Sequence, residues 1–354
     1  ALTAAVTTAV VAIAGCGSPG AGGAVDPARP FAGQTLVVTS YGGSWEEHMR
    51  AEVLPGFEAR TGATVELALG VSSEFATQLR VAGRDAPPYD VVISNETYMA
   101  GLRSEDYFAP FDERQVPKLA RVQPAARAAD PTGTSVLSMI DPLGIAYRSD
   151  LVATPPASFA ELADQAHDLP TGIFNISATP AAMLTLTLAG ATTGDPTDWR
   201  AGFAEVRGMC PVRQAGSVGD MTTLLTDGTV AVAVHDLAAV VRMRAAGVPV
   251  GWVLPREGAF GYDQNISVTS GSDHADLALA FVDHWLSTEV QQAWTDGYLY
   301  FPVNRDATPA ADLTALLPSG TDVYGSLLTF DWNAFNAGPA DDLADAWNRE
   351  MSDC

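Results

Sequence analysis

Three short apolar segments, 35–39, 63–69 and 89–95, are separated by two stretches of helical pattern, 44–60 and 72–83. A strand that returns to its sheet after a helical crossover runs parallel to the strand it left. The opening of the chain therefore predicts a parallel sheet covered by helices, an α/β design. Ser44 is placed to cap the first helix, Pro55 to interrupt it and Gly62 to close it. A second set of the same kind follows. It comprises helices at 158–169, 180–191, 195–209 and 238–247, with strands at 172–177, 229–236 and 248–255. Between the sets lies "SVLSMIDPLGIAYRSD" (135–150), a β-rich passage broken by Pro142 and Gly144 that can walk from one domain to another. "QNISVTS" (264–270) reads as the return strand, and 274–297 contains a long amphipathic helix. No repeat of 20–50 residues is present.

The 354 residues suffice for two domains, and a hydrophobic content of 47% supports a large core. Nineteen basic against 42 acidic residues give a formal charge of −23. Such a surface repels nucleic acid and anionic membranes and is compatible with a cationic ligand. Lys118 is the only lysine. The sequence has no Gly-x-Ser-x-Gly, His-Glu-x-x-His, Cys-x-x-Cys or P-loop motif. His48, His167, His235, His274 and His284 are scattered without metal-ligand spacing. An enzyme is therefore not expected, nor a metal or cofactor.

Residues 1–15 carry no charge and read as a signal-peptide core, too short to span a bilayer comfortably. Ile13-Ala14-Gly15-Cys16 resembles a bacterial lipobox, which implies cleavage before Cys16 and a lipid on its sulfur. Residues 17–30, rich in Gly, Ala and Pro, make a flexible tether. Cys210 and Cys354 remain, and an even pair in an exported chain invites a disulfide, with two free thiols as the alternative.

Several segments, in their order and spacing, resemble the bacterial solute-binding proteins of ABC importers. The likeness is to the branch that contains the spermidine/putrescine-binding proteins. The segments are "TSYGGSWEE", "LPGFEARTG", "YDVVISN", "PLGIAYRSD", "GTVAVAVHD", "RMRAAGVPVGWVLPREGAFGYD" and "GYLYFPVN". The resemblance implies a two-lobed periplasmic-binding-protein fold of type II with a β-crossover hinge, closing on a small solute. It divides the chain into lobe 1 (31–141 plus 264–305), lobe 2 (142–263) and C-terminal helices packing across the lobes (306–354). It implies a monomer held to the outer face of the cytoplasmic membrane by its lipid alone. The expected partners are a permease and its ATPase, with a lipid-anchored sensor as the rival role.

The same resemblance nominates ligand residues. Gly42 and Gly43 set Tyr41 and Trp45 at the carboxyl end of the first strand, where aromatic walls suit an alkyl-ammonium. Packing in the core is the alternative for Trp45. Ser94, Asn95 and Glu96 follow the third strand. Tyr262 and Asp263 match the aromatic and aspartate of polyamine binders in type, with spacing shifted by one residue. Tyr300 is a further aromatic, and Trp332 with Asn333 match a terminal tryptophan and amide. Asp236 is the preferred carboxylate of lobe 2, with a helix cap as its alternative; His235 reads equally as structural. One departure is sharp. Where the polyamine branch carries paired carboxylates, "NISATP" offers Asn175, Ser177 and Thr179. Hydroxyls at a helix start suit a carboxylate or phosphonate instead, so a zwitterion is the runner-up to a polyamine. The adjacent tyrosines of ferric-ion binders are not matched, because Leu299 separates Tyr298 from Tyr300.

Overall fold

A computed structural model describes residues 29–354. The signal segment, Cys16 and nearly all of the tether lie outside the described residues. Ten strands follow in chain order: β1 (Thr35–Ser40), β2 (Thr64–Leu69), β3 (Val91–Ser94), β4 (Ser135–Arg148), β5 (Thr171–Phe174), β6 (Arg213–Ala215), β7 (Val232–Asp236), β8 (Val250–Val253), β9 (Phe260–Val268) and β10 (Phe301–Pro302).

Their pairing makes one ten-stranded sheet whose two halves follow one plan. The first runs β2-β1-β3-β9-β4, with β1 parallel to β2 and β3 and antiparallel pairing at β9. The second runs β6-β5-β7-β4-β8, with β5 parallel to β6 and β7 and antiparallel pairing at β4. β4, 14 residues long, belongs to both: Ser135–Leu143 pairs with β9, and Leu143–Arg148 with β7 and β8. The fold is α/β and two-lobed, with β4 and β9 crossing between the lobes. Leu36, Val38, Ile93, Ile140, Leu143, Val232 and Ile266 are fully buried in the sheet. Strands covered on both faces read as continuous apolar runs, which is why their sequences do not alternate.

Local structure departs from the sequence expectation at four places. Pro55 does not interrupt the first helix, which continues to Thr61. Proline lacks an N–H and crowds the carbonyl four residues back. The preceding turn, Met49–Val53, widens to a π-helix in which the Leu54 N–H reaches Met49 O, and this accommodates the ring. Ser44 does not cap that helix; Gly43, at φ 67°, takes the cap position and the Ser44 hydroxyl meets Tyr298 Oη at 2.9 Å. The long helix at 274–297 is two, Ala275–Trp285 and Thr288–Tyr298, because Ser287 Oγ accepts from the Val290 N–H and starts the second. β9 begins at Phe260, so Tyr262 and Asp263 lie on the crossing strand and not in a turn.

The C-terminal segment touches both lobes. In the helix Trp332–Asn336, Asn336 Nδ2 donates to Thr97 O at 2.8 Å. The helix Pro339–Glu350 packs on Trp199–Gly208, with Trp347 5.8 Å from Phe203. Cys210 and Cys354 are disulfide-bonded, with Cα atoms 5.4 Å apart.

Gly144 fixes how closely β4 approaches β8. A Cβ there would lie 2.5 Å from both the Trp252 ring and Val253 O. Trp252 in turn donates from Nε1 to His235 O at 3.0 Å. Gly144→Ala is expected to lower stability by about 1–3 kcal/mol in urea unfolding. An unchanged midpoint would show that the strand yields freely at this position.

Candidate functional site

The carboxyl ends of β1, β3, β5 and β7 lead into Tyr41, Asn95–Glu96, Asn175–Ser177 and the helix Leu237–Ala245. Ligands of open α/β sheets bind at such ends. The crossing strands pass between them.

On the first lobe, Tyr41 Oη lies 2.8 Å from Ser72 Oγ and donates to Gln264 Oε1 at 3.1 Å. Burial pushes its phenol up to about 12. Trp45 is only 3% exposed, so it packs in the core and does not stand as a free wall. Its ring centroid is 4.3 Å from Trp294, 5.2 Å from Tyr41 and 5.9 Å from Tyr300. Tyr41 and Tyr300 lie against it as the outer layer. Leu299, in the left-handed region at φ 63°, ends the preceding helix and turns the chain into Tyr300. No Cβ contact within 4 Å would meet a side chain at Gly42 or Gly43, so open space lies beside this turn.

Asp263 projects from β9 past the end of β3. Its Oδ1 accepts from the Glu96 N–H at 3.3 Å, and Asn95 Nδ2 donates to Asp263 O at 3.0 Å. Burial, and then the Glu96 carboxylate, push the Asp263 carboxyl up to about 7. Glu96 itself is ion-paired with Arg103, and burial raises its carboxyl against that pull. The Ser94 hydroxyl is buried at the end of β3 without a hydrogen-bond partner.

On the second lobe, Asp236 caps the helix Leu237–Ala245, its Oδ1 accepting from the Ala239 N–H at 2.8 Å. Its Oδ2 is buried and unpartnered. The helix-cap reading of Asp236 thus describes its Oδ1. His235 is fully buried, Nε2 lies 3.0 Å from Thr222 Oγ1, and burial lowers its pKa, so the ring is neutral. Burial, and then the Asp236 and Asp141 carboxyls, raise the Tyr262 phenol. Tyr300 is raised by burial and by Asp141.

Ser177, Trp332 and Asn333 are not part of this inner group. With Thr97, Tyr98 and Thr179 they line an adjoining cavity of about 670 Å³ between the helices of the two lobes. Ser177 Oγ is bonded to Asn175 Oδ1 at 2.5 Å, and Trp332 is buried against Phe330 and Phe335. Tyr98 joins the two regions, since it lines the cavity and its hydroxyl helps to raise Tyr41.

A family model described as bacterial extracellular solute-binding protein matches residues 54–317. The chain belongs to that family. Among curated proteins, this solute-binding protein is similar to the spermidine/putrescine-binding periplasmic protein of Escherichia coli (strain K12). The two are 22% identical over 73% of this chain and 76% of that protein. Among solved structures, an extracellular solute-binding protein from Bordetella parapertussis is 27% identical, with a TM-score of 0.79. That match covers 90% of this chain and 99% of the other. The Atu4243–GABA receptor has the same fold, with a TM-score of 0.74 at 19% identity over 89% of this chain and 97% of its own.

Sequence reasoning missed Asp141, Tyr98 and Gln264. Asp141 left a signal: it is the one acid inside the fully buried stretch Ser135–Ala146. A charge in such a strand needs a partner.

The state of Asp263 sets a pH dependence. The unfolded chain releases this proton near the ordinary aspartate value and the folded chain near 7. The group's contribution is therefore full at low pH and lost as pH rises through 7. Between pH 5 and pH 8 the ligand-free protein is expected to lose on the order of 2–3 kcal/mol more stability than Asp263→Asn. Equal losses in urea unfolding would mean that Asp263 titrates as an ordinary carboxylate.

Proposed function

We propose that this solute-binding protein captures a small organic cation between its lobes, a polyamine first, and delivers it to the permease and ATPase of an ABC importer. In this reading the lobes are 31–141 plus 264–305 and 142–263, and residues 306–354 bridge them. Lipid on Cys16 holds a monomer at the outer face of the cytoplasmic membrane. The observation that carries the reading is Asp263, a half-buried carboxyl on the crossing strand, with the neighbouring Glu96 already engaged by Arg103. An acid pushed up to about 7 is poorly satisfied until a cation arrives. Tyr41, Tyr262 and Tyr300 supply apolar faces for an alkyl-ammonium, each contact contributing about 0.5–2 kcal/mol. The likeness to a spermidine/putrescine-binding protein supports the same class.

A zwitterion is the second reading. The helix Thr179–Thr193 starts at the cavity without a side-chain cap among the described residues, and the positive end of its dipole suits a carboxylate. Similarity in fold to a GABA receptor is compatible with it.

Calorimetric titration with putrescine, spermidine and amino-acid zwitterions separates the readings. A polyamine is expected to bind, and Asp263→Asn to weaken it by about 2–5 kcal/mol. Undiminished affinity in that variant would remove the cationic assignment. Small-angle scattering is expected to show a more compact particle with saturating ligand, and an unchanged envelope would count against closure.

A further inference from the structure

The two crossing strands place their acids by one rule. Ser94, the last residue of β3, pairs with Asn265 of β9; two residues before Asn265, Asp263 accepts from the first N–H of the helix Glu96–Ser104. Asp236, the last residue of β7, pairs with Leu143 of β4. Two residues before Leu143, Asp141 Oδ1 accepts from the Ala238 N–H at 3.2 Å, in the first turn of the helix Leu237–Ala245. Asp141 is therefore the counterpart of Asp263 under the twofold likeness of the lobes.

The surroundings of Asp141 resemble a cation site. It is 3% exposed. Tyr262 is its register partner on β9, and Tyr300 precedes Phe301, which pairs with Ile140 on the other side of β4. Asp236 Oδ2 is buried and has no hydrogen-bond partner among the described residues. The charged or titratable groups facing the pair are His235, whose Nδ1 is 3.2 Å from Asp236 Oδ2, and Arg242, whose Nη2 is 3.9 Å from Asp236 Oδ1. His235 is neutral and Arg242 is half exposed, so neither neutralises two carboxyls. Burial, and then the Asp236 carboxyl, raise the Asp141 carboxyl well above the ordinary range.

We propose that Asp141, held beside Asp236, is the residue that selects a second ammonium group on the ligand. An ammonium has three donors and no acceptor, which suits two carboxyl oxygens and a tyrosine hydroxyl. On binding, it displaces the proton of the raised Asp141 carboxyl to solvent. This supplies from the crossing strand the acid that "NISATP" lacks, and it rests on the cationic reading above.

Calorimetry with putrescine and with butylamine, its one-amine analogue, tests the proposal on wild type, Asp141→Asn and Asp263→Asn. Asp141→Asn retains the oxygen that caps the helix. It is expected to weaken putrescine by about tenfold or more and to leave butylamine within about threefold. Asp263→Asn is expected to weaken both. Putrescine bound unchanged by Asp141→Asn, with both amines lost in Asp263→Asn, would overturn the role of Asp141 and leave the cationic reading standing. Equal loss of both amines in Asp141→Asn would show a structural role only. Failure of both amines to bind wild type would remove the cationic reading and this role with it. If Asp141→Asn does not fold, proton release by wild type at pH 6.5, read in two buffers, decides. Putrescine is expected to release more protons than butylamine, and equal release would overturn the proposal.

Discussion

The antiparallel pairing of β4 with β9 is the constraint on which the site depends. Ser135–Leu143 and Phe260–Ser267 are zipped together across the boundary between the lobes. A side chain near the middle of this pairing sits at the boundary between the lobes. Asp141, Tyr262 and Asp263 therefore stand at the pivot, while Tyr41 and Tyr98 approach from one lobe and Asp236 and Ser177 from the other. Residues at a pivot keep their mutual geometry when the flanking bodies move, which gives a ligand a fixed polar base. The cost of closure then falls on the lobe residues.

On the proposed cationic reading, electrostatics is what makes that base suit a ligand ammonium. Three carboxyls, those of Asp141, Asp236 and Asp263, are held in or beside a wall of aromatic rings, and each accepts a helix N–H. A helix start stabilises an anion by about 0.3–1 kcal/mol, up to about 2 when partly buried. That does not match the desolvation of a buried charge, which runs to several kcal/mol per ion. The remainder appears as raised carboxyls at Asp141 and Asp263. A ligand ammonium removes that deficit at once. An anion would add to it, which confines any anionic group to the outer cavity by Ser177 and Thr179.

Much of the fold was legible because its strands are short apolar runs bounded by helices at crossover length. The third strand of each set, and the passage at 135–150, are visible from composition alone. What failed did so for local reasons. Pro55 reads as a break, yet a single widened turn absorbs it. Ser287 starts a new helix inside a pattern whose periodicity barely changes. β6, three residues long, is too short to leave a pattern. At the candidate site, Tyr41, Tyr262, Asp263 and Tyr300 were nominated through the resemblance. Trp45 was nominated for the wall by the same resemblance, and its alternative, packing in the core, is what the structure shows. Asp141, inside the β-rich passage broken by Pro142 and Gly144, was not singled out. Its role depends on which strand ends opposite it, and that is a property of register.

The most direct measurement is a crystal structure of the protein with its amine ligand bound. The account predicts one nitrogen within about 3 Å of the Asp263 carboxyl, with the alkyl chain against Tyr41 and Tyr300, at ordinary hydrogen-bond length. A ligand seated wholly in the cavity lined by Ser177, Trp332 and Asn333, with no nitrogen near Asp263, would contradict it.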